Sequence, residues 1–180
     1  MRIILVFVCT LDGKITKWGD PRVSSWTSEE DKKYFRHIWN EAPLIVMGSN
    51  TFMAEKLGSL KDHLIVVMTR NASNFKDTEV PGRLEFSDET PAQLAIRYAK
   101  EEYGTMLVVG GAQIATSFLK AELIDEIWLT IEPKIFGRGG NFVSEQDLDL
   151  ELRLISCEQV NPEGTLFTRY MVKKKSGIPV

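Results

Sequence analysis

The sequence is poor in the residues that build disulfide frameworks and metal sites. Its 180 residues include only two cysteines and two histidines. Cys9 and Cys157 each lie within an apolar run, and neither has a neighbour spaced for a disulfide framework or a metal site. This pattern favours a reducing compartment, so we expect a cytoplasmic protein without a bound metal.

The sequence also lacks an excess of positive charge and a long hydrophobic segment. Acidic residues number 25 against 22 basic ones, and no stretch gathers enough Lys and Arg to neutralise a run of phosphates. The apolar run at residues 3–8 is shorter than a signal-peptide core and far shorter than a membrane span. We therefore expect neither nucleic acid nor a membrane as a partner.

Short apolar runs and amphipathic stretches alternate along most of the chain. The runs are typical of strands covered on both faces, and they predict strands at residues 3–8, 44–47, 63–68, 84–86, 106–109 and 126–131. Helical spacing predicts a helix that Ser28 caps and that ends near Asn40, with Asp31 at its third position. Similar spacing predicts helices over residues 91–103 and 112–120.

The C-terminal part has a different pattern. Residues 151–160 and 166–172 are extended in character and flank Asn161-Pro162-Glu163-Gly164, a turn composition that predicts an antiparallel hairpin. The whole pattern predicts an α/β fold with one central, mainly parallel mixed sheet, helices on both faces and this hairpin at its end. We expect residues 1–175 to form a single domain and residues 176–180 to be a flexible tail.

Polar or small residues follow several of the predicted strands. In an open α/β sheet, ligands bind outside the carboxyl ends of the strands. Gly110-Gly111 leads into a helix and could bring backbone N–H groups to a pyrophosphate. Gly48-Ser49-Asn50-Thr51 repeats this arrangement, with Ser49 or Asn50 as N-cap, and Thr69-Arg70 could hold the extra ribose phosphate of NADPH. Each feature alone also fits a tight turn, a helix cap or a solvated arginine, but together they favour a dinucleotide.

Several short motifs, in order along nearly the whole chain, resemble a known superfamily. They are Thr10-Leu11-Asp12-Gly13-Lys14-Ile15, Trp26-Thr27-Ser28, Met47-Gly48-Ser49-Asn50-Thr51-Phe52, Val108 to Ile114, Asp125-Glu126-Ile127 and Ile131-Glu132-Pro133. The sequence is similar to the dihydrofolate reductase-like superfamily. It most closely resembles the C-terminal reductase domain of the bifunctional deaminase-reductase of riboflavin biosynthesis. The resemblance implies a dihydrofolate reductase-like three-layer sandwich that binds NADPH.

The resemblance also implies roles for individual residues. The cofactor would contact Cys9, Thr10, Ile15, Gly48, Ser49, Asn50, Thr51, Thr69, Arg70, Gly110, Gly111, Ala112, Gln113 and Ile114. The catalytic candidates are Asp12, Lys14 and Asp31, because the protein must orient the nicotinamide and protonate the reduced centre. Trp26, Phe35 and Thr130 would contact the substrate. Asp31 could instead be only a helix-capping acid, and Lys14 a solvated turn residue.

The departures from both branches leave the substrate open. Ser25-Trp26 stands where dihydrofolate reductases have a Pro-Trp pair. Lys61-Asp62 stands near the position at which those enzymes have an arginine that binds the glutamate tail of folate. Residues 53–61 lack the phosphate-binding segment of the riboflavin branch. Our first hypothesis is a stand-alone NADPH-dependent reductase like 5-amino-6-(5-phosphoribosylamino)uracil reductase, acting on a small heterocycle. Dihydrofolate reductase and a non-catalytic nucleotide-binding module are the alternatives. By resemblance, we also expect a homodimer and a cis peptide between Gly110 and Gly111.

Overall fold

The computed structural model describes residues 1–54 and 63–174, and within them eight strands form one sheet. The strands are β1 (Arg2–Thr10), β2 (Leu44–Gly48), β3 (Leu64–Met68), β4 (Leu84–Ser87), β5 (Thr105–Val108), β6 (Glu126–Glu132), β7 (Leu152–Gln159) and β8 (Leu166–Val172). Their order in the sheet is β4-β3-β2-β5-β1-β6-β8-β7. β1 to β6 are parallel, and β8 runs antiparallel to both β6 and β7. All six parallel strands therefore end at the same edge of the sheet.

Within residues 1–54 and 63–174, four α-helices and two 3₁₀ turns connect the strands. The helices are α1 (Glu29–Glu41), α2 (Ser49–Ala54), α3 (Pro91–Lys100) and α4 (Ala112–Lys120), and the 3₁₀ turns span Val23–Ser25 and Ala72–Thr78. Side chains cap α1 and α3: the Ser28 hydroxyl accepts the Asp31 N–H, and Thr90 and Gln93 form a reciprocal capping box. Both caps satisfy backbone donors that a first turn otherwise leaves unpaired.

The alternation of side chains along the strands divides the core between the two faces of the sheet. Ile3, Leu5 and Phe7 of β1 point to one face, where they belong to a cluster with buried residues of α3 and α4. Ile4 and Val6 point to the other face and pack in a cluster with α1, α2 and Ala72–Thr78. The sheet is thus the middle of three layers, and β2 and β3 are buried along their whole length.

The structure confirms the predicted mixed sheet, the helices on both faces and the C-terminal hairpin. The peptide between Gly110 and Gly111 is cis, as the resemblance implied. The prediction of Ser49 or Asn50 as N-cap is wrong, because α2 already begins at Ser49 and both residues lie in its first turn. The predicted helix over residues 91–103 ends earlier, at Lys100. Two residues later, Glu102 has a positive φ of 63°, which a helix cannot continue through.

Some predictions fall on residues outside the described ranges. These are the comparison at Lys61-Asp62, most of the segment 53–61, the tail at 176–180 and the domain boundary at 175. Within residues 1–54 and 63–174, no helix has the length and apolar character that crossing a membrane requires.

Candidate active site

A cleft with a volume of about 1430 Å³ runs along the edge where the six parallel strands end. Each of these strands contributes to its lining. The contributions are Ile15 and Thr16 after β1, Gly48 to Thr51 from β2 onward, Thr69 to Asn71 after β3, Ser87 to Glu89 at the end of β4, Val109 to Ile114 after β5, and Thr130 within β6. A volume of this size is enough for a dinucleotide together with a small second molecule.

Close backbone packing forms the centre of this cleft. The Gly48 N–H donates to the Gly110 carbonyl at 2.9 Å, which joins the end of β2 to the segment after β5. A Cβ atom on Gly110, whose φ is +146°, would lie 3.0 Å from the Thr51 Oγ1 atom, and one on Gly48 would lie 2.9 Å from the Ile114 Cγ1 atom. Only glycine lets these segments approach so closely. α4 then starts at Ala112 without a side-chain cap, so its first N–H groups remain available to a ligand.

Charged residues gather at the end of the cleft beside β3 and β4. Arg70 is exposed there, next to Thr69 and Asn71. Glu89 also lines this end, where it pairs with Arg97 at 2.6 Å and accepts the Ser87 hydroxyl at 2.9 Å. Because the Glu89 carboxylate is already engaged by Arg97, it offsets the positive charge of Arg70 less than a solitary acid would.

At the other end of the cleft, α1 presents a buried carboxyl group. Asp31 is 6% exposed, and Phe35 and Thr130 line the cleft beside it. The pKa of Asp31 is raised to about 6, chiefly by burial; the hydroxyls of Thr130 and Thr27 oppose the rise, and the negative charge of Glu132 contributes a smaller increase. An acid with such a pKa holds a proton near neutral pH often enough to donate it to a bound substrate.

The predicted catalytic residues Asp12 and Lys14 do not line the cleft. The Asp12 carboxylate accepts the Thr10 hydroxyl and the backbone N–H groups of Phe136 and Gly137, at 3.2 and 2.7 Å. These bonds lower its pKa, the Thr10 bond most of all. The Lys14 Nζ donates to the Asn141 Oδ1 at 2.6 Å. Both side chains thus fasten the loop after β1 to the segment after β6, and through it they hold Ile15 at the cleft.

Three further predicted contacts, Cys9, Thr10 and Trp26, are also missing from the cleft lining. Cys9 is buried, and burial, with a smaller effect of Asp12, raises the pKa of its thiol to about 11. Thr10 is buried as well, with its hydroxyl bonded to Asp12. Trp26 packs edge-on against Phe136, with ring centroids 5.2 Å apart. All three are packed in the interior, and their contacts with a ligand stay a prediction. The other predicted cofactor residues, together with Asp31, Phe35 and Thr130, line the cleft.

Several lining residues were not predicted from the sequence. Tyr34 and Trp39 of α1 extend the wall formed by Phe35, and their helical spacing could have indicated this. Ser87 ends β4, and Asp88 and Glu89 follow it just as Thr69 follows β3, so the same strand-end argument applies to them. Glu132 does not line the cleft but acts on Asp31, and its sequence signal was an acid directly after the apolar Ile131 at the end of β6.

Comparisons with known proteins agree with this geometry. The sequence matches the protein family described as RibD C-terminal domain over residues 1–166. It is 23% identical to the uncharacterized protein YwjB of Bacillus subtilis (strain 168) over 165 residues, which cover 88% of this chain and 91% of that protein.

Two solved structures share the fold. A putative riboflavin biosynthesis protein from Shewanella sp. PV-4 aligns with a TM-score of 0.77 and 21% identity, over 97% of this chain and 100% of the other. Dihydrofolate reductase from Enterococcus faecalis, solved with NADP(H) and RAB-propyl, aligns with a TM-score of 0.69 and 18% identity, over 96% and 97%. The predicted dihydrofolate reductase-like fold is therefore confirmed.

Proposed function

Because this chain belongs to the RibD C-terminal domain family, a family of reductases, we propose that it is an NADPH-dependent reductase of a small heterocyclic substrate. The substrate class that we propose is that of 5-amino-6-(5-phosphoribosylamino)uracil. One observation carries the proposal: Thr51, Arg70, Gly111 and Asp31 all line a single cleft. A cofactor and a substrate can therefore contact all four residues at once.

The residues of the cleft fit the dinucleotide. Gly110 packs against Thr51 where a Cβ atom would crowd the Thr51 hydroxyl. Gly110 and Gly111 both line the cleft, where their backbone would face a pyrophosphate. The uncapped first turn of α4 offers N–H donors to the same group. Arg70 would hold the ribose phosphate that distinguishes NADPH from NADH. NADPH supplies the hydride when it is bound.

Asp31 is the residue that we propose as the proton donor. Its carboxyl is buried beside Thr130 and Phe35, at the end of the cleft away from Arg70. The raised pKa lets this carboxyl hold a proton at the cleft and donate it to a bound substrate. Phe35, Tyr34 and Trp39 would exclude solvent from the flat face of a heterocycle.

A second candidate activity is that of dihydrofolate reductase. The pairing of a buried Asp31 with Thr130 supports it, as does the fold shared with the enzyme from Enterococcus faecalis. The two candidates differ in the substrate and not in the cofactor, so one assay separates them.

The test is NADPH consumption by the purified protein with each substrate offered in turn. Turnover of the ribosylaminopyrimidine supports the first proposal, and turnover of dihydrofolate supports the second. If neither is reduced, thermal unfolding with NADPH remains informative, because ligand at about 100 times its dissociation constant adds roughly 2.7 kcal/mol. Stabilisation without turnover would support a nucleotide-binding module, and no stabilisation would refute the cofactor proposal.

The choice between NADPH and NADH is tested by Arg70→Gln. A hydrogen bond to a charged group contributes about 1.5–3 kcal/mol, so we expect NADPH affinity to fall at least about tenfold while NADH affinity is unchanged. Lys120→Gln is the control, since it removes one positive charge from the exposed end of α4. Equal losses for both cofactors would contradict the role of Arg70.

We also propose that the protein is a homodimer in the cytoplasm. All eight residues of β7 are exposed at the edge of the described sheet, and Leu154 and Ile155 are 53% and 48% exposed. Arg153 and Glu158 lie near opposite ends of β7, so a two-fold antiparallel pairing brings each charge to its complement on a second copy.

The free thiols of Cys9 and Cys157 fit a reducing compartment.

A further inference from the structure

Glu132 is a carboxylate with almost no contact with solvent. It lies at the carboxyl end of β6 and is 1% exposed. One carboxylate oxygen, Oε1, accepts the Ser28 N–H at 2.7 Å, and the other, Oε2, accepts the Thr165 hydroxyl at 3.0 Å. Both oxygens of this buried acid are therefore held by defined donors, as a buried charge requires.

These bonds connect β6 to the start of α1. Ser28, whose N–H donates to Glu132, is also the N-cap whose hydroxyl accepts the Asp31 N–H. Two residues beyond Glu132, the Lys134 ammonium donates to the Trp26 carbonyl. The segment just before α1 is thus fastened at two points to the end of β6. Asp31, three residues after Ser28, lies in the first turn of α1 and lines the cleft.

The turn between β7 and β8 supports Glu132 from the other side. Asn161 donates to the Thr165 hydroxyl oxygen at 2.9 Å, and the same amide group reaches the Glu30 carboxylate at 3.2 Å. A continuous set of hydrogen bonds therefore runs from the hairpin turn through Thr165 and Glu132 to the first turn of α1. Asn161, Thr165, Glu132 and Ser28 themselves lie outside the lining of the cleft, which the set reaches at Asp31.

Few charged groups act on the Asp31 carboxyl. Glu132 faces it from β6, and Lys32 acts from α1 itself, where it also pairs with Glu29 at 2.7 Å. The uncharged neighbours are the hydroxyls of Thr130, on β6, and Thr27, before α1. Glu132 is therefore a described carboxylate whose charge raises the pKa of Asp31, with an effect smaller than that of burial.

We propose that Glu132 is a positioning residue that orients the first turn of α1 and keeps the proton on Asp31. This inference rests on the proposed function, because Asp31 is the proton donor of that reaction. The hydrogen bond to Ser28 fixes the helix start, and the negative charge of Glu132 disfavours a second negative charge on Asp31. That electrostatic effect adds to burial in raising the pKa of Asp31.

The first test uses Glu132→Gln to separate the effect of the negative charge of Glu132 from the effect of its side-chain length. Glutamine keeps the length of the side chain and an oxygen for the Ser28 N–H but removes the charge. We expect Asp31 to titrate at lower pH in the variant, as followed by the ¹³C resonance of its side-chain carboxyl in the free protein. The control is Glu126→Gln, the same change at the opposite end of β6, which should leave that titration unchanged.

The second test keeps the negative charge at position 132 but shortens the side chain that carries it. Glu132→Asp shortens the side chain by one methylene, so the Ser28 N–H loses its acceptor while the negative charge stays. We expect faster hydrogen exchange at Ser28 and a lower kcat, up to about 100-fold if Asp31 is displaced by 1 Å. The KM for NADPH should stay constant, because Glu132 does not line the cleft.

The outcomes distinguish this inference from the proposed function. If Asp31 titrates alike in wild type and Glu132→Gln, and Ser28 exchanges alike in wild type and Glu132→Asp, the inference is overturned. If both readouts change but no substrate is reduced, the coupling of Glu132 to Asp31 stands and the proposed function fails. If reduction occurs, its decline at high pH should move to lower pH in Glu132→Gln.

Discussion

At the scale of the residue, the buried carboxyl of Asp31 couples folding to pH. Its pKa is raised from the ordinary 3.8 to about 6, chiefly by burial. Between these two values the native protein holds a proton that the unfolded chain has released, so the free energy of unfolding falls as the pH rises through this window. We expect Asp31→Asn to remove a dependence on the order of 2 kcal/mol, measured by urea unfolding from pH 4 to pH 7.

The matched control for that experiment is Asp147→Asn, which changes an exposed acid. It should retain the pH dependence of the wild-type protein. Parallel stability curves for wild type and Asp31→Asn would show that the Asp31 carboxyl is not held in its neutral form by the fold.

Individual residues also show which parts of the candidate site could be predicted from the sequence. The shared cleft of Thr51, Arg70 and Gly111 was predictable, because each residue follows a buried parallel strand, and the structure confirms that they share it. The position of Asp12 was not, because its partners Phe136 and Gly137 lie in an irregular segment more than a hundred residues away. No local pattern indicates such a contact.

At the scale of the element, the caps of α1 and α3 offer a matched pair of substitutions. Loss of either capping hydroxyl, by Ser28→Ala or Thr90→Ala, should cost about 1 kcal/mol, which lowers the Tm by about 2–4 °C in a protein of this size. α1 presents Asp31 to the cleft, whereas no residue of α3 lines it. We therefore expect only Ser28→Ala to reduce kcat as well, measured by NADPH consumption. Equal kcat for the two variants would contradict the role of the α1 cap.

The elements themselves were predictable where periodicity or turn composition marks them. α4 spans the predicted residues, and the strands lie within about two residues of their predicted ends, because their apolar runs are bounded by glycine or polar residues. The 3₁₀ turns at Val23–Ser25 and Ala72–Thr78 were not predicted. Such short turns carry no repeating apolar pattern, and packing beside the sheet determines where they form.

At the scale of the whole molecule, the exposed strand β7 predicts the oligomeric state. We expect light scattering to show a dimer for the wild-type protein and a monomer for Leu154→Glu, since a charge there would be buried against a second copy. Ile96→Glu is the control, because Ile96 on α3 is 57% exposed and Leu154 is 53% exposed. A wild-type monomer, or a dimer that survives Leu154→Glu, would refute pairing through β7.

The central place of β1 in the sheet sets the order in which the nascent chain can fold. Arg2 lies opposite Thr105, and Ile4 lies opposite Glu126, so β1 meets its partner strands β5 and β6 only after β2, β3 and β4 have been synthesised. At a translation rate of about 5–20 residues per second, this delay is on the order of 10 s. During this interval the apolar strand β1 lacks its partners in the sheet, while β2, β3 and β4, which are consecutive along the chain and adjacent in the sheet, can already assemble.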